Sequence, residues 1–234
     1  MIKHLKEVNS TSTYIKEHLS ELDNFDIVSA EHQTNGRGRT GHDWEDTDNQ
    51  NVLMSILIKD PSIIESFNIL SIAVGVIVRN YLTNYLPPKT ISLKWPNDVY
   101  VNDKKICGIL LEGKLPEYVI IGIGLNINQK AFSVDNATSL SLETEYDFKI
   151  DNIRNLFFEY LTGELSKFNQ NKNKYVESFN RSNYLKSREI KYFDTKRNTE
   201  QKGIALDINE NGELLVNHDG EVIAVSSSEV SKIR

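Results

Sequence analysis

The sequence predicts an α+β protein in which one sheet of short strands packs against long helices and is followed by a small antiparallel β-barrel. Runs rich in Ile, Leu and Val, each too short for a typical helix, crowd the middle of the chain. They lie at residues 91–95, 99–101, 105–112 and 118–126. After residue 188, apolar and polar residues alternate between turn signals, which is typical of antiparallel strands. A boundary near Lys186 therefore divides a larger domain, residues 1–185, from a smaller one, residues 186–234.

The composition is that of a soluble globular protein. Its 234 residues, of which 39% are hydrophobic, suffice for a substantial core. A net charge of −6 argues against a protein dedicated to binding nucleic acid. The single cysteine, Cys107, excludes an internal disulfide, and the longest apolar run, residues 69–78, is too short to span a bilayer. Because the N-terminus also lacks the apolar core of a signal peptide, we expect a cytoplasmic protein.

A cluster of polar residues lies at 8–13, immediately before a short helix predicted at residues 14–19. Asn, Ser and Thr are favoured at the N-cap of a helix, where a side-chain oxygen accepts a backbone N–H. One hydroxyl is enough for that purpose, and this segment supplies several. The surplus hydroxyls are therefore candidates for hydrogen bonds to a ligand.

A loop rich in glycine and arginine occupies residues 33–44, after a strand predicted at residues 27–30. Glycine lets the backbone approach a ligand closely, and arginine pairs with planar anions such as carboxylate and phosphate. The loop is therefore either a cover over an anionic small molecule or an exposed turn whose arginines only aid solubility. Its glycine spacing also matches the dinucleotide-binding fingerprint, but no apolar helix follows, so we reject that interpretation.

The remaining elements follow from apolar periodicity and from turn residues. A buried strand is predicted at residues 52–58, and a long buried helix at residues 63–86 ends at Pro87. Asp151 is expected to cap a helix over residues 151–168. The core-facing side of that helix should comprise Ile153, Leu156, Phe157, Tyr160, Leu161, Leu165 and Phe168. Turns are expected at the Asn-Asp, Asn-Gly and Asp-Gly pairs at residues 102–103, 211–212 and 219–220.

The pentapeptide Lys94-Trp95-Pro96-Asn97-Asp98 is the most informative motif. A lysine and an aspartate at the ends of a proline turn suggest a phosphate contact beside a carboxylate that organises a metal. Pro96 restricts its own backbone and that of Trp95, so the charged ends keep a set geometry. The alternative is a simple corner between two strands, which does not require both charges. Lys105, which begins the next strand, either faces solvent or points into the same pocket.

Other candidates carry weaker signals. Cys107 shares a face with Lys105 and is either a nucleophile or, more commonly, a small core residue. Gly122, Gly124 and Asn126 allow a ligand ring to approach the backbone. The sequence contains no complete Gly-x-x-x-x-Gly-Lys-Ser/Thr phosphate loop, since Leu115 follows the match at residues 108–114, and neither His-Glu-x-x-His nor Cys-x-x-Cys occurs. We therefore expect no bound transition metal.

Taken in order along the chain, these motifs resemble those of the biotin–protein ligases, also called biotin–[acetyl-CoA-carboxylase] ligases or holocarboxylase synthetases. The resemblance covers essentially the whole chain. It is carried by Ser10-Thr11, Gln33 and residues 36–39, 94–98, 105–112 and 122–126. It implies a central mixed β-sheet with flanking helices, of the biotin/lipoate ligase type, followed by an SH3-like β-barrel. It also implies that biotin and MgATP form biotinyl-5′-AMP, and that biotin then passes to a lysine of a biotin carboxyl carrier domain of a carboxylase.

The resemblance further implies a role for each motif residue. The catalytic residues would be Lys105, Arg37 and Asp98, with Mg²⁺ delivered by ATP near Asp98. Biotin would be bound by Ser10, Thr11, Ser12, Gln33, Gly36, Arg37, Lys105 and Gly108. ATP and the adenylate would be bound by Arg39, Trp44, Lys94, Asn97 and Asn126. Cys107 would be a spectator, because the reaction needs no covalent enzyme intermediate.

Two departures from the family pattern modify these expectations. Many relatives carry basic residues where His42 and Asp43 stand, so this loop should hold the adenylate less tightly. The Ser10 motif begins so near the N-terminus that no DNA-binding domain, which some relatives place there, is expected before it. The resemblance therefore implies a monofunctional ligase that binds neither DNA nor membrane and is a monomer or a homodimer.

Two alternative functions remain open. A lipoate–protein ligase or an octanoyltransferase shares the fold, and the transferase would use Cys107 as its nucleophile; the pentapeptide at residues 94–98 favours the biotin branch instead. A non-enzymatic RNA-binding module would use the arginine–glycine loop. The acidic net charge and the lack of a basic patch interleaved with aromatic residues disfavour it.

Overall fold

The structure is a computed structural model that describes residues 1–41, 43–195 and 197–233. These residues form two β-sheets and six α-helices. The strands of the first sheet are β1 (Ile2–Val8), β2 (Ile27–Gln33), β3 (Asn51–Ile58), β4 (Ile91–Lys94), β5 (Asp98–Val101), β6 (Lys104–Lys114) and β7 (Tyr118–Asn126). The helices are α1 (Thr11–Glu17), α2 (Pro61–Ile64), α3 (Phe67–Leu82), α4 (Leu140–Thr144), α5 (Ile150–Leu165) and α6 (Phe168–Arg181). The second sheet contains β8 (Glu189–Asp194), β9 (Thr199–Ile208), β10 (Leu214–His218), β11 (Glu221–Val225) and β12 (Val230–Ile233).

The first sheet has the strand order β1-β2-β3-β7-β6-β5-β4. β1 and β2 run parallel, whereas the other neighbouring strands are antiparallel. All 8 residues of β3, the strand between β2 and β7, are buried. The predicted central mixed sheet is therefore confirmed, and its continuous apolar strands are those covered on both faces.

Helices cover both faces of this sheet. Successive residues of a strand point to opposite faces, so Leu57 packs in the apolar cluster beneath α1 while Ile56 packs in the larger core on the other face. That larger core also contains residues of α3, α5 and α6. Within the described residues, no helix is both long and apolar enough to cross a membrane.

The single helix predicted at residues 63–86 is wrong, because two helices occupy that region. Asp60 caps α2 by accepting a hydrogen bond from the Ser62 backbone N–H at 2.9 Å. Ser66, with φ −105° and ψ 30°, separates α2 from α3, and α3 already ends at Leu82. The apolar periodicity continues across the break, which conceals it in the sequence.

The prediction that Asp151 caps a helix is also wrong. α5 begins at Ile150 with Lys149 at its N-cap, and Asp151 lies in the first turn. There it pairs with Arg154, and the positive end of the helix dipole favours its carboxylate. Leu156 is 54% exposed rather than buried, because the buried face follows the four-residue spacing of Ile153 and Phe157. Phe168 belongs to the next helix, α6.

Sequence patterns missed β1 and α6. β1 is an edge strand whose residues are exposed or half-buried, so Lys3, His4 and Lys6 interrupt any apolar signal. α6 is mostly polar, and only Phe168, Tyr175 and Phe179 are buried along it.

The second sheet is antiparallel, as predicted, in the order β11-β10-β9-β8-β12. The turns expected at 211–212 and 219–220 are confirmed. They connect the antiparallel pairs β9–β10 and β10–β11, and Gly212 and Gly220 have left-handed φ angles. β11 and β12 lie at opposite ends of the strand order, so an SH3-like closure of the described strands stays a prediction. The indole Nε1 of Trp95 donates to the carbonyl of Gly212 at 2.9 Å. The domain boundary at Lys186 likewise stays a prediction.

Candidate active site

The polar cluster at the start of α1 is buried. Ser10, Thr11 and Ser12 are at most 5% exposed. Ser10 is the N-cap residue, but its side chain makes no capping hydrogen bond, so helix capping does not account for these hydroxyls. The backbone N–H and the hydroxyl of Thr11 lie 2.8 and 3.1 Å from Oε1 of Gln33, at the end of β2.

Ser55 completes this cluster, and the sequence did not reveal it. Its hydroxyl lies on β3, 2.7 Å from Thr11 Oγ1 and 2.9 Å from Ser12 Oγ, and it is fully buried. The available signal was a serine inside an otherwise apolar strand, because a buried hydroxyl requires a partner.

The glycine–arginine loop folds back on itself above this cluster. The Trp44 backbone N–H donates to the Gly36 carbonyl at 2.9 Å, and Arg37 forms an isolated β-bridge with Asp43. Beyond the loop, Glu45 accepts a hydrogen bond from the Ser133 backbone N–H at 3.0 Å. The loop is thus held at its base and by the segment that follows it.

Arg37 already faces a carboxylate of the protein. Its Nη2 atom donates to Thr13 Oγ1 at 3.0 Å and lies 3.4 Å from Glu112 Oε2. Glu112 also pairs with Lys16, whose Nζ lies 2.9 Å from Oε1. The guanidinium is therefore oriented at the rim of the site by Thr13 and Glu112, and the sequence did not predict these contacts.

Arg39 connects the loop to the second sheet. Its Nη2 atom donates to the carbonyl of Ser227 at 2.8 Å, in the turn between β11 and β12. Burial lowers the pKa of the Arg39 guanidinium, and the nearby Asp98 carboxylate opposes that shift. The contact joins residues that are far apart in the sequence.

The indole of Trp44 lies against the glycines of two central strands. A Cβ added to Gly124 would lie 2.3 Å from the indole, and one added to Gly108 would lie 2.7 Å from it, so only glycine permits this approach. Lys105 Nζ lies 5.4 Å from the ring centroid. Among the described residues, Trp44 Nε1 is buried without a hydrogen-bond partner. The ring thus lies among the predicted biotin residues, and its assignment to ATP stays a prediction.

Lys105 points into the site rather than into solvent. Its Nζ lies 2.8 Å from Asp98 Oδ1 on the neighbouring strand β5. Its backbone is held by the neighbouring segment around Ala137, because its N–H donates to the Asn136 carbonyl at 2.7 Å and its carbonyl accepts from the Thr138 N–H at 2.9 Å. The start of β6 is therefore a rigid support for this ammonium group.

Three residues predicted to bind the nucleotide make hydrogen bonds to other parts of the protein around the site. Lys94 Nζ lies 3.3 Å from the hydroxyl of Tyr100. Burial lowers the pKa of the Lys94 ammonium, and the Asp98 carboxylate opposes that shift. Asn97 Nδ2 donates to the carbonyl of Ile109 at 2.6 Å, which ties the pentapeptide to β6. Asn126 Nδ2 donates to the carbonyl of Thr138 at 3.0 Å, and its buried Oδ1 lacks a partner among the described residues.

Cys107 is fully buried in β6. Burial raises the pKa of its thiol, so the nucleophilic thiolate is disfavoured. The structure therefore favours the interpretation of Cys107 as a core residue.

Two adjoining cavities meet at Arg37, Arg39 and Asn97. The smaller measures about 50 Å³ and is lined by the hydroxyl cluster, Gln33, Trp44, Lys105 and Gly108. The larger measures about 570 Å³ and extends to Phe67, Pro96 and the Ser227 turn. Two of the other predicted site residues contact lining residues, Gly36 through Trp44 and Asp98 through Lys105. Lys94 and Asn126 instead bond to Tyr100 and Thr138, which line neither cavity. His42 lies outside the described residues.

A sequence model of the biotin/lipoate A/B protein ligase family matches residues 5–126. The chain belongs to this family. The matched part of the ligase extends from β1 to the end of β7, so it contains the whole first sheet apart from the beginning of β1. It also contains every predicted site residue.

Individual relatives agree with this membership. The ligase is 30% identical over 212 residues to the biotin–[acetyl-CoA-carboxylase] ligase of Mycobacterium tuberculosis. The aligned region covers 89% of this chain and 79% of that protein. A solved structure of the Aquifex aeolicus biotin protein ligase in complex with biotin and ATP matches with a TM-score of 0.87 and 28% identity, over 100% of this chain and 98% of that one. The Leishmania major biotin protein ligase in complex with biotinyl-5-AMP matches with a TM-score of 0.66 and 25% identity, over 97% and 98% of the two chains.

Proposed function

We propose that this ligase activates biotin with ATP as biotinyl-5′-AMP and transfers the biotinyl group to one lysine of a biotin carboxyl carrier domain of a carboxylase. One observation carries the proposal. The buried hydroxyl cluster with Gln33 borders the same cavity as Lys105, Arg37 and Arg39. Polar groups for a neutral ring thus adjoin cations for a carboxylate and a phosphate. The biotin and ATP bound by the Aquifex relative support this reading.

The chemistry follows from the charges that develop. The biotin carboxylate attacks the α-phosphorus of ATP, the bond to the pyrophosphate breaks, and negative charge builds on the phosphoryl oxygens. The Lys105 ammonium, oriented by Asp98 at 2.8 Å, is set to stabilise that charge together with the loop arginines. The uncharged amine of the acceptor lysine then attacks the acyl carbon of the mixed anhydride, AMP leaves, and the amine loses its proton.

The mixed anhydride must be protected from water between these two steps. The glycine–arginine loop is suited to that task, because Arg39 joins it to the Ser227 carbonyl across the larger cavity. A closed loop excludes water from the reactive acyl phosphate. Retention of the adenylate is therefore the role that we assign to this loop.

Mg²⁺ is expected to arrive with ATP rather than to reside in the protein. The residues that the structure describes contain no group of three or more His, Cys, Asp or Glu that could hold a metal ion. The single carboxylate of Asp98, beside Lys105, fits an ion that is bound mainly by phosphate oxygens. Such an ion neutralises charge on the departing pyrophosphate.

Several finer assignments remain part of the proposal. These are the carrier domain as acceptor, a monomeric or homodimeric state, the absence of DNA binding, a cytoplasmic location, the domain boundary near Lys186 and an SH3-like second domain. The same-fold octanoyltransferase is disfavoured because Cys107 is buried and the pKa of its thiol is raised. A lipoate–protein ligase is the competing function for the test below.

The decisive experiment compares biotin with lipoate as the acid substrate. The purified protein is incubated with ATP labelled at the α-phosphate and with each acid, first without acceptor and then with the matching carrier domain. We expect labelled biotinyl-AMP, and a biotinylated carrier lysine detected by mass spectrometry. Lipoyl-AMP with no biotinyl-AMP would overturn the proposal.

A further inference from the structure

We propose that Ser55 is a positioning residue that orients the Ser12 hydroxyl so that its oxygen accepts a hydrogen bond from a ligand N–H group. The inference rests on the proposed biotin function and adds the means by which a cyclic urea is selected. Ser55 is fully buried on β3 and lines the smaller cavity together with Thr11 and Ser12.

The direction of the hydrogen bonds begins with a group that can only donate. The backbone N–H of Thr11 lies 2.8 Å from one atom of the Gln33 amide, so that atom must be the carbonyl oxygen. The Thr11 hydroxyl lies 3.1 Å from the same oxygen. Because a carbonyl oxygen cannot donate, the Thr11 hydroxyl gives it its only proton.

The same reasoning then passes to the two serines. Thr11 has no second hydroxyl proton, so in the 2.7 Å contact between Thr11 and Ser55 it is Ser55 that donates. Ser55 has then used its own proton, so in the 2.9 Å contact between Ser12 and Ser55 it is Ser12 that donates. The proton of Ser12 is therefore directed at Ser55, and its free lone pair remains for the cavity.

This arrangement recognises a particular pattern of donors and acceptors. Ser12 offers an acceptor, while Gln33, whose oxygen is used by Thr11, keeps its Nε2 group as a donor. A cyclic urea carries N–H groups beside a carbonyl and satisfies both. A fatty acyl chain or a dithiolane ring satisfies neither and would leave buried polar groups unpaired, which is costly.

The test uses two biotin analogues, in each of which one ureido N–H is replaced by a ring oxygen. Their dissociation constants and that of biotin are measured calorimetrically. In the parent protein, the analogue altered next to Ser12 should bind at least about 100-fold more weakly than biotin, because two lone pairs then face each other. In Ser55→Ala the Ser12 hydroxyl is free to turn and donate to the ring oxygen, so this penalty should shrink about tenfold.

Three variants separate orientation from a general structural effect. Ser55→Thr keeps the hydroxyl and should keep the penalty. Ser29→Ala removes another fully buried serine hydroxyl, on the adjacent strand β2, where it pairs with His4 Nδ1 at 2.9 Å, and it should also keep the penalty. Ser12→Ala removes the acceptor itself, so adding Ser55→Ala to it should change the ratio no further.

Each outcome decides the matter. A penalty that is equal in Ser55→Ala and in the parent overturns the proposal, even where biotin affinity falls, because a merely structural role lowers all affinities alike. A penalty that is smaller than in the parent in Ser55→Ala and Ser12→Ala, but not in Ser55→Thr or Ser29→Ala, supports the proposal. If the parent binds no biotin, the proposed function fails first, and that result is read directly from the parent titration.

Discussion

Lys105 Nζ lies 2.8 Å from Asp98 Oδ1, an ion pair between the start of β6 and the start of β5. The relationship converts the pentapeptide into a support for the lysine that follows it. Asp98 orients the ammonium group, and the backbone bonds to Asn136 and Thr138 fix the strand from which it projects. The ammonium is thus in position before the phosphate arrives, which is the condition for effective electrostatic catalysis.

Lys105→Ala should lower the rate of adenylate formation about 100-fold, because a charge contact in the transition state contributes roughly 3 kcal/mol. The measurement is pyrophosphate release at saturating biotin and ATP. Lys104→Ala is the matched control, since Lys104 is the exposed neighbour on the same strand. Turnover of Lys105→Ala within a fewfold of that control would remove Lys105 from the catalytic set.

Cys107→Ala should retain most of the biotin transfer activity. The thiol is fully buried and its pKa is raised by burial, and direct attack of the acceptor lysine on the adenylate needs no acyl-enzyme. Transfer to a carrier domain is followed for parent and variant, with thermal melting as the control for packing. Complete loss of transfer in a folded variant, together with a thioester trapped in the parent, would instead support the transferase function.

Trp44 should move when biotin binds. The indole lines the smaller cavity together with the hydroxyl cluster and Gln33, and it packs so closely on Gly108 and Gly124 that a ligand bound there must contact or displace it. Biotin should therefore change the intrinsic fluorescence, and Trp44→Phe should abolish the change. The other tryptophan, Trp95, is buried and bonded to Gly212, so it serves as the internal control. Unchanged tryptophan fluorescence at stoichiometric biotin would mean that biotin binds elsewhere.

The fold could be predicted wherever burial leaves a pattern in the sequence. β6 and β7 were evident because each is a long apolar run in the middle of a covered sheet. β1 could not be found because an edge strand needs no continuous apolar face. The division between α2 and α3 was concealed because both helices bury apolar residues in the same core.

Most of the residues that line the candidate cavities could be predicted, but their arrangement could not. The motif residues were identified by resemblance, and most of them border one pair of cavities. The position of the Trp44 indole depends on Gly108 of β6 and Gly124 of β7, which are distant from Trp44 in the sequence. The contact between Arg39 and Ser227 joins the loop to a turn near the opposite end of the chain. Such contacts depend on the packing of distant segments, which local sequence does not encode.

Asp46→Asn should stabilise the protein at neutral pH. Burial is the main cause that raises the pKa of Asp46 above its ordinary value of 3.8, so the folded state binds the proton more tightly than the unfolded state. The contribution of Asp46 to the free energy of unfolding is complete when the pH is below the pKa of this carboxyl in the unfolded state. It is lost as the pH rises through the pKa of the carboxyl in the folded state. Asparagine avoids the buried charge and keeps an acceptor for the Gln33 backbone N–H, which lies 3.0 Å from the carboxylate.

The measurement is the difference in melting temperature between Asp46→Asn and the parent, from neutral pH down to a pH at which the Asp46 carboxyl is protonated. The variant should melt higher at neutral pH, and its advantage should vanish once the parent carboxyl is protonated. Asp219→Asn, whose side chain is 97% exposed, is the control and should show no such trend. An advantage that grows as the pH falls would contradict the assigned sign.

Arg37→Ala and Arg39→Ala should each increase the release of biotinyl-AMP more than they alter folding. Ordering a glycine-rich loop costs about 1–2 kcal/mol per residue in conformational entropy, and contacts must offset that cost. Arg39 supplies one of them through the Ser227 carbonyl at 2.8 Å, and Arg37 supplies others through Thr13 and Glu112. Without either guanidinium the loop should stay open longer, and water should reach the anhydride.

The leakage is measured by forming labelled adenylate in a rapid mix, chasing with excess unlabelled biotin, and following free biotinyl-AMP and AMP without acceptor. Arg181→Ala is the matched control, because that arginine lies on α6 in an exposed pair with Glu177, 3.8 Å away. Arg39→Ala should leak faster than Arg37→Ala, since Arg39 joins the loop to the second sheet through Ser227, whereas the partners of Arg37 lie on α1 and on β6 of the first sheet. If both variants hold the adenylate as long as Arg181→Ala does, the loop is not a lid and its arginines act only as surface charges.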